Sequence, residues 1–120
     1  MYKVTMLNAV SAGSNVTSAA TIFEYPNGLN GVKHVCEKGN MKLNVVSTGN
    51  GTTATCKILI SEDGINYTYL QDSGSDYVLP LPSATTFYSV MPYMDSTYVK
   101  IDYLKGDNTT GEITATLTFN

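Results

Sequence analysis

Residues 112–119 read Glu-Ile-Thr-Ala-Thr-Leu-Thr-Phe, with an apolar side chain at every second position. Period-two alternation buries its apolar set only as a strand, one face on a core and the other in water, as in antiparallel sheets. Here Ile113, Ala115, Leu117 and Phe119 are expected to face inward and three threonines outward. The same period recurs in Met41-Lys42-Leu43-Asn44-Val45 and in Thr53-Ala54-Thr55-Cys56-Lys57-Ile58. It returns in Tyr98-Val99-Lys100-Ile101-Asp102-Tyr103, where Val99, Ile101 and Tyr103 share a face. No stretch shows the helical period.

Turn residues punctuate these runs at Pro26-Asn27-Gly28, Gly39-Asn40, Gly49-Asn50-Gly51, Asp63-Gly64, Pro80 to Pro82 and Gly106 through Gly111. Asp63-Gly64 is read as a two-residue hairpin turn between strands, because Gly supplies positive φ at no steric cost. The Gly106–Gly111 stretch is read as the longer loop of a second hairpin. Strands are expected at about 3–9, 16–24, 32–37, 41–48, 53–61, 65–71, 85–91, 97–105 and 111–119. Residues 72–84 form the longest irregular candidate, since two prolines exclude a central strand there. The expected fold is all-β: a single-domain antiparallel β-sandwich (Ig-like or jelly-roll) of about eight to nine strands, spanning residues 1–120.

Composition narrows the function classes. Hydrophobic residues at 42% suffice for a core, while charged residues are only 14%, so the exterior is built from neutral Thr, Ser and Asn. The seven basic residues are all lysines, and net charge is −3. Arginine is the favoured residue for bidentate phosphate and base-edge contacts, so nucleic acid and anionic membrane are not expected partners. No leader and no apolar run near the ~18 residues of a membrane span is evident, so synthesis and folding in a cytoplasm are expected. The Asn-x-Thr sequons at Asn15, Asn50, Asn66 and Asn108 are discounted on that ground.

Cys36 and Cys56 allow one disulfide, but a reducing compartment favours two thiols, and Cys56 reads as a small buried residue. His34, the sole histidine, sits two residues before Cys36. A Cys-His nucleophile pair lacks an orienting third group there, and a surface histidine beside a structural cysteine is the better reading. No catalytic motif, metal-ligand spacing or cofactor site is found, so no enzyme, metal or cofactor is expected. The Ser61–Tyr67 segment resembles an Asp-box but lacks a residue between Asp and Gly, and it occurs once.

Nine tyrosines against three phenylalanines point to rings whose hydroxyls reach water or a partner. Tyr67 and Tyr69 share one strand face and are the candidate glycan platform. Tyr2 and Met6, with Tyr88, Met91, Tyr93 and Met94, are the candidate interface, because they are apolar residues outside the best-patterned strands.

The Ser61-x-Asp63-Gly64 turn with Tyr67, the Tyr98-Val99-Lys100-Ile101 strand and the Thr-rich closing strand resemble a layout found in small tailed-phage virion structural proteins. The low-charge, arginine-free style is similar to virion proteins of Bacteroidetes phages, crAss-like phages among them. Those proteins often carry Arg where this chain has Lys100. For a 120-residue chain the resemblance implies an auxiliary (decoration) protein on the capsid exterior. Its partners would be the major capsid protein or other virion proteins, and a homo-oligomer is a further option. No catalytic residue comes with the resemblance. A head-fibre or tail component and a carbohydrate-binding β-sandwich module are the alternative readings.

Overall fold

Alternation at the expected places produces two facing sheets. The computed structural model describes residues 2–22, 41–90 and 98–119, and the expected strand at 32–37 lies outside them. A four-stranded sheet has the order β1-β12-β4-β10, formed by β1 (Tyr2–Ser11), β12 (Glu112–Phe119), β4 (Met41–Ser47) and β10 (Thr86–Val90). The opposite sheet is centred on β11 (Tyr98–Leu104) and β5 (Ala54–Ser61). β2 (Val16–Thr17) and β3 (Thr21–Ile22) flank β11, while β6 (Thr68–Tyr69) and β9 (Val78–Leu81) flank β5. Every pairing among the described residues is antiparallel, including the small ribbon of β7 (Gln71–Asp72) with β8 (Ser75–Asp76). The all-β sandwich expected from the alternation is therefore the observed architecture. The described residues hold more strands than expected because short segments split around β11 and β5.

The core lies between the sheets. Leu43, Val45, Ile113, Ala115 and Leu117 face Ile58, Val99, Ile101 and Tyr103, all fully buried. Cys56 is buried among them with a free thiol, and burial, then the charge of Asp102, pushes that thiol up to about 12. Such a group stays protonated and inert at neutral pH. Cys36 lies outside the described residues, as does His34.

Three local readings need correction. Asp63-Gly64 does not close a two-residue hairpin: Ile60 pairs with Thr68, leaving a longer loop in which Gly64 has φ 76°. The tight two-residue turn is Ser73-Gly74, with φ 54° and 85°, between the paired residues Asp72 and Ser75. Positive φ at both central positions is the twist-matched hairpin geometry. Second, residues 72–84 are not irregular, since they contain β8 and β9. Pro80 sits within β9 opposite Thr55, which is tolerable because β9 is an edge. Third, β11 and β12 do not form a hairpin, because they belong to different sheets.

The sandwich is closed at one end by chain crossings between its sheets. The connections β1–β2, β4–β5, β9–β10 and β11–β12 all cross between sheets, and they pack on one another at one end. Ala12 N donates to Gly111 O at 2.9 Å, and Ala84 N to Gly49 O at 3.1 Å. The Asn50 Oδ1 accepts from Thr109 N (2.8 Å) and Thr110 N (3.2 Å). Asp107 Oδ1 accepts from Thr52 N (2.8 Å), Thr53 N (2.9 Å) and Thr53 Oγ1 (2.9 Å). A Cβ at Gly51 would stand 2.2 Å from Asp107 Oδ1, so only glycine fits this approach. Beneath these loops, buried Asn108 accepts from Gly51 N and donates to the Tyr103 hydroxyl at 2.8 Å. Tyr103 in turn donates to Ala12 O at 2.7 Å.

Two predictions follow from this end. Tyr103→Phe strands the Ala12 carbonyl and the Asn108 amide, and is expected to cost about 1–3 kcal/mol in urea unfolding. An unchanged midpoint would show that the network carries no stability. The loop N–H bonds, Thr53 first, hold the Asp107 carboxyl at about 2 against an ordinary 3.8. The stability it confers is present above the unfolded value and lost as pH falls through the folded one, so it declines from about pH 4 toward 2. Asp107→Asn is expected to flatten that part of an acid-unfolding curve.

Candidate functional site

The outer face of the β11–β5 sheet gathers the polar and aromatic side chains that could meet a partner. Direct antiparallel partners share a face, so the pairs Lys57–Asp102, Lys100–Leu59 and Leu59–Tyr69 put these residues together on the side away from the core. Lys100 Nζ lies 4.2 Å from the Tyr67 ring centroid, and Lys57 Nζ lies 4.7 Å from that of Tyr69. Both are within cation–π range. Lys57 also pairs with Asp76 at 3.2 Å, a half-exposed bridge of small energetic weight. Gln71 donates to the other oxygen of Asp76, and that bond, then Lys57, holds the Asp76 carboxyl below its ordinary value.

Asp102 anchors the middle of this face. Only 8% of it is exposed, and its two oxygens accept from Thr17 Oγ1 (2.9 Å) and Tyr69 Oη (2.6 Å). Donating to that carboxylate holds the Tyr69 hydroxyl above its ordinary value. The carboxylate thus ties β2, β11 and β6 together across the sheet.

At the rim, a groove of about 270 Å³ is lined by Ile60, Ser61, Glu62, Asp63, Asn66 and Thr68. Asp63 is occupied by its own loop. Its Oδ1 accepts from Ile65 N and Asn66 N (2.8 Å each) and Ser61 Oγ (2.9 Å), and its Oδ2 from Asn66 Nδ2 (2.9 Å). These bonds, the Asn66 and Ile65 amides first, hold the carboxyl far below its usual range. The Asp-Gly segment is therefore a capped loop, as a turn-capping Asp should be. Among the described residues no group of three or more His, Cys, Asp or Glu is arranged to hold a metal ion. Among the same residues no helix is long and apolar enough to cross a membrane.

The sequence-derived candidates are distributed unevenly. Tyr67 and Tyr69 do come together on one face, but a lysine covers one side of each ring, so neither offers that side to a sugar. Tyr2 and Met6 lie on β1, and Tyr88 lies on β10 opposite Asn44. Among the described strands these two are the first and last of one sheet, three strand spacings or about 14 Å apart, so they do not form one patch. Met6 is the extra residue of a β-bulge between Thr5 and Leu7, and it is half-buried against the core. Little of it remains for a partner. Met91, Tyr93 and Met94 lie outside the described residues. Sequence reasoning missed Asp102, Lys57 and Lys100, although period two from Val99 and Ile101 places Lys100 and Asp102 together on the outer face.

Tyr69→Phe removes one of the two side-chain donors to Asp102. It is expected to lower stability by about 1 kcal/mol, with the cost moderated by solvent at the half-exposed ring. Thermal melting of the variant reads this. A glycan array is expected to show no binding that is lost on Tyr67→Ala or Tyr69→Ala; such a loss would restore the sugar-platform reading.

No protein-family model and no curated protein matches the sequence.

Proposed function

We propose that this chain is a non-enzymatic structural protein of a tailed-phage virion, an auxiliary protein bound to the capsid exterior. The observation that carries the reading is the physical union of the segments that resemble such proteins. Tyr98 is the register partner of Ser61, and its ring lies over Gly64, where an added Cβ would stand 3.2 Å away. The Ser61-x-Asp63-Gly64 loop and the Tyr98–Tyr103 strand are therefore one packed unit, which supports treating their co-occurrence as a structural signature. The neutral surface suits the role too, because hydroxyls and amides can form a wet, extended contact with a repeating lattice without strong charge matching.

A mass-spectrometric inventory of purified particles of the phage that encodes the chain tests this. The chain is expected at copy numbers comparable with the major capsid protein. Its absence from washed particles would overturn the proposal, and recovery only with tail or fibre proteins would move it to that compartment.

A further inference from the structure

An asparagine followed by glycine is open to attack by its own chain, because glycine puts no Cβ in the way of its amide nitrogen. The sequence holds such a pair at Asn50-Gly51, in the β4–β5 crossing. The reaction needs only water. Gly51 N, having lost its proton, attacks Asn50 Cγ and closes a five-membered imide. The Cγ–Nδ2 bond breaks, and ammonia leaves carrying a proton in place of the one Gly51 N gave up. Water then opens either imide carbonyl, leaving aspartate or, with the main chain rerouted through the side chain, isoaspartate.

The fold commits both reacting groups elsewhere. Asn50 Oδ1 accepts from Thr109 N (2.8 Å) and Thr110 N (3.2 Å), and Nδ2 donates to Thr109 Oγ1 at 2.8 Å. The side-chain amide is thus held to the β11–β12 crossing. Gly51 N donates to Oδ1 of buried Asn108, on the same crossing. The main chain on either side of Asn50 is pressed against it as well. An added Cβ would stand 2.5 Å from Asn108 Nδ2 at Gly49 and 2.2 Å from Asp107 Oδ1 at Gly51. Bringing Gly51 N onto Asn50 Cγ therefore means breaking these bonds and parting residues 49–51 from 107–110.

We propose that Asn50 is a site of spontaneous deamidation gated by the crossing end, modified only in molecules whose crossings have parted. The modification then makes a transient opening permanent. Isoaspartate adds a carbon to the main chain where the close approach of Gly49 and Gly51 to Asp107 and Asn108 leaves no room for one. Aspartate keeps the chain length and can still accept from the Thr109 and Thr110 amides, so it is the milder product. The inference stands apart from the virion reading, since it concerns the chain alone and its failure would leave that reading untouched.

Timed incubation of the purified full chain in mildly alkaline buffer, followed by tryptic digestion and mass spectrometry, reads the reaction. Cleavage after Lys42 and Lys57 separates Asn50-Gly51 from the pairs Asn27-Gly28 and Asn30-Gly31. Conversion at Asn50 is expected to be at least about tenfold slower in the native chain than in urea, because reaction through a rare open state scales with its population. Tyr103→Phe loosens Asn108 without touching Asn50, and is expected to speed the native reaction about tenfold. Should that variant fail to fold, Asp107→Asn loosens the same crossing through Thr52 and Thr53 and is expected to act in the same direction. In hydrogen exchange the isoaspartate fraction should lose protection at the Gly51 and Thr53 amides while Ile58 and Ile101 keep theirs. Equal rates in folded and unfolded chain, a native rate indifferent to both substitutions, or native protection of Gly51 and Thr53 in the isoaspartate fraction would each overturn the proposal.

Discussion

The Tyr103 hydroxyl is the polar contact on which the closed form of this sandwich depends. It sits at the end of a fully buried ring, gives its proton to the Ala12 carbonyl and receives one from the Asn108 amide. Each partner belongs to a different crossing between the sheets. Asn108 then reaches a third crossing through Gly51 N. Buried polar groups are costly when unpaired, so a single aromatic hydroxyl selects one mutual arrangement of three loops. The apolar core alone would hold the sheets together while leaving that arrangement less well specified.

The two ends of β5 consequently differ in physical character. At its start, Thr52 and Thr53 are fastened to Asp107 and the loops are stacked several deep. At its finish, the Ser61–Asn66 loop is capped by its own side chains and rests on the Tyr98 ring. The first end is held by long-range contacts, and the second largely by local ones. Between them, Asp102 and the two lysine–tyrosine contacts brace the outer face of the sheet, away from the apolar core.

Much of the fold was legible because burial imposes period two wherever only one face of a sheet is wet. Val99, Ile101, Tyr103, Ile113, Ala115 and Leu117 are buried as the alternation requires. What escaped was chain routing. The Gly106–Gly111 stretch looks like hairpin chemistry, but Asp107 and Asn108 spend their side chains on the neighbouring crossing instead of on their own turn. The Asp-Gly pair misled because Asp63 caps amides further along the loop and thereby lengthens it. Ser73-Gly74 was overlooked because its flanking residues are polar and lack strand patterning, although the dipeptide itself is a turn former. Of the candidate surface, the shared face of Tyr67 and Tyr69 was readable from spacing. The lysines above them depended on a partner strand that local sequence does not identify.

The register at the outer edge of the four-stranded sheet carries one more consequence. Tyr2 and Phe119 are Cα partners across an antiparallel pair, so the chain enters and leaves the sandwich side by side, about 5 Å apart. A load applied through these two points would peel β1 from β12 one rung at a time, the direction in which an antiparallel ribbon offers least resistance. The same proximity means that a short linker could join them without crossing the core, with the new ends opened in the Asp63 loop and the interlocked crossings left intact.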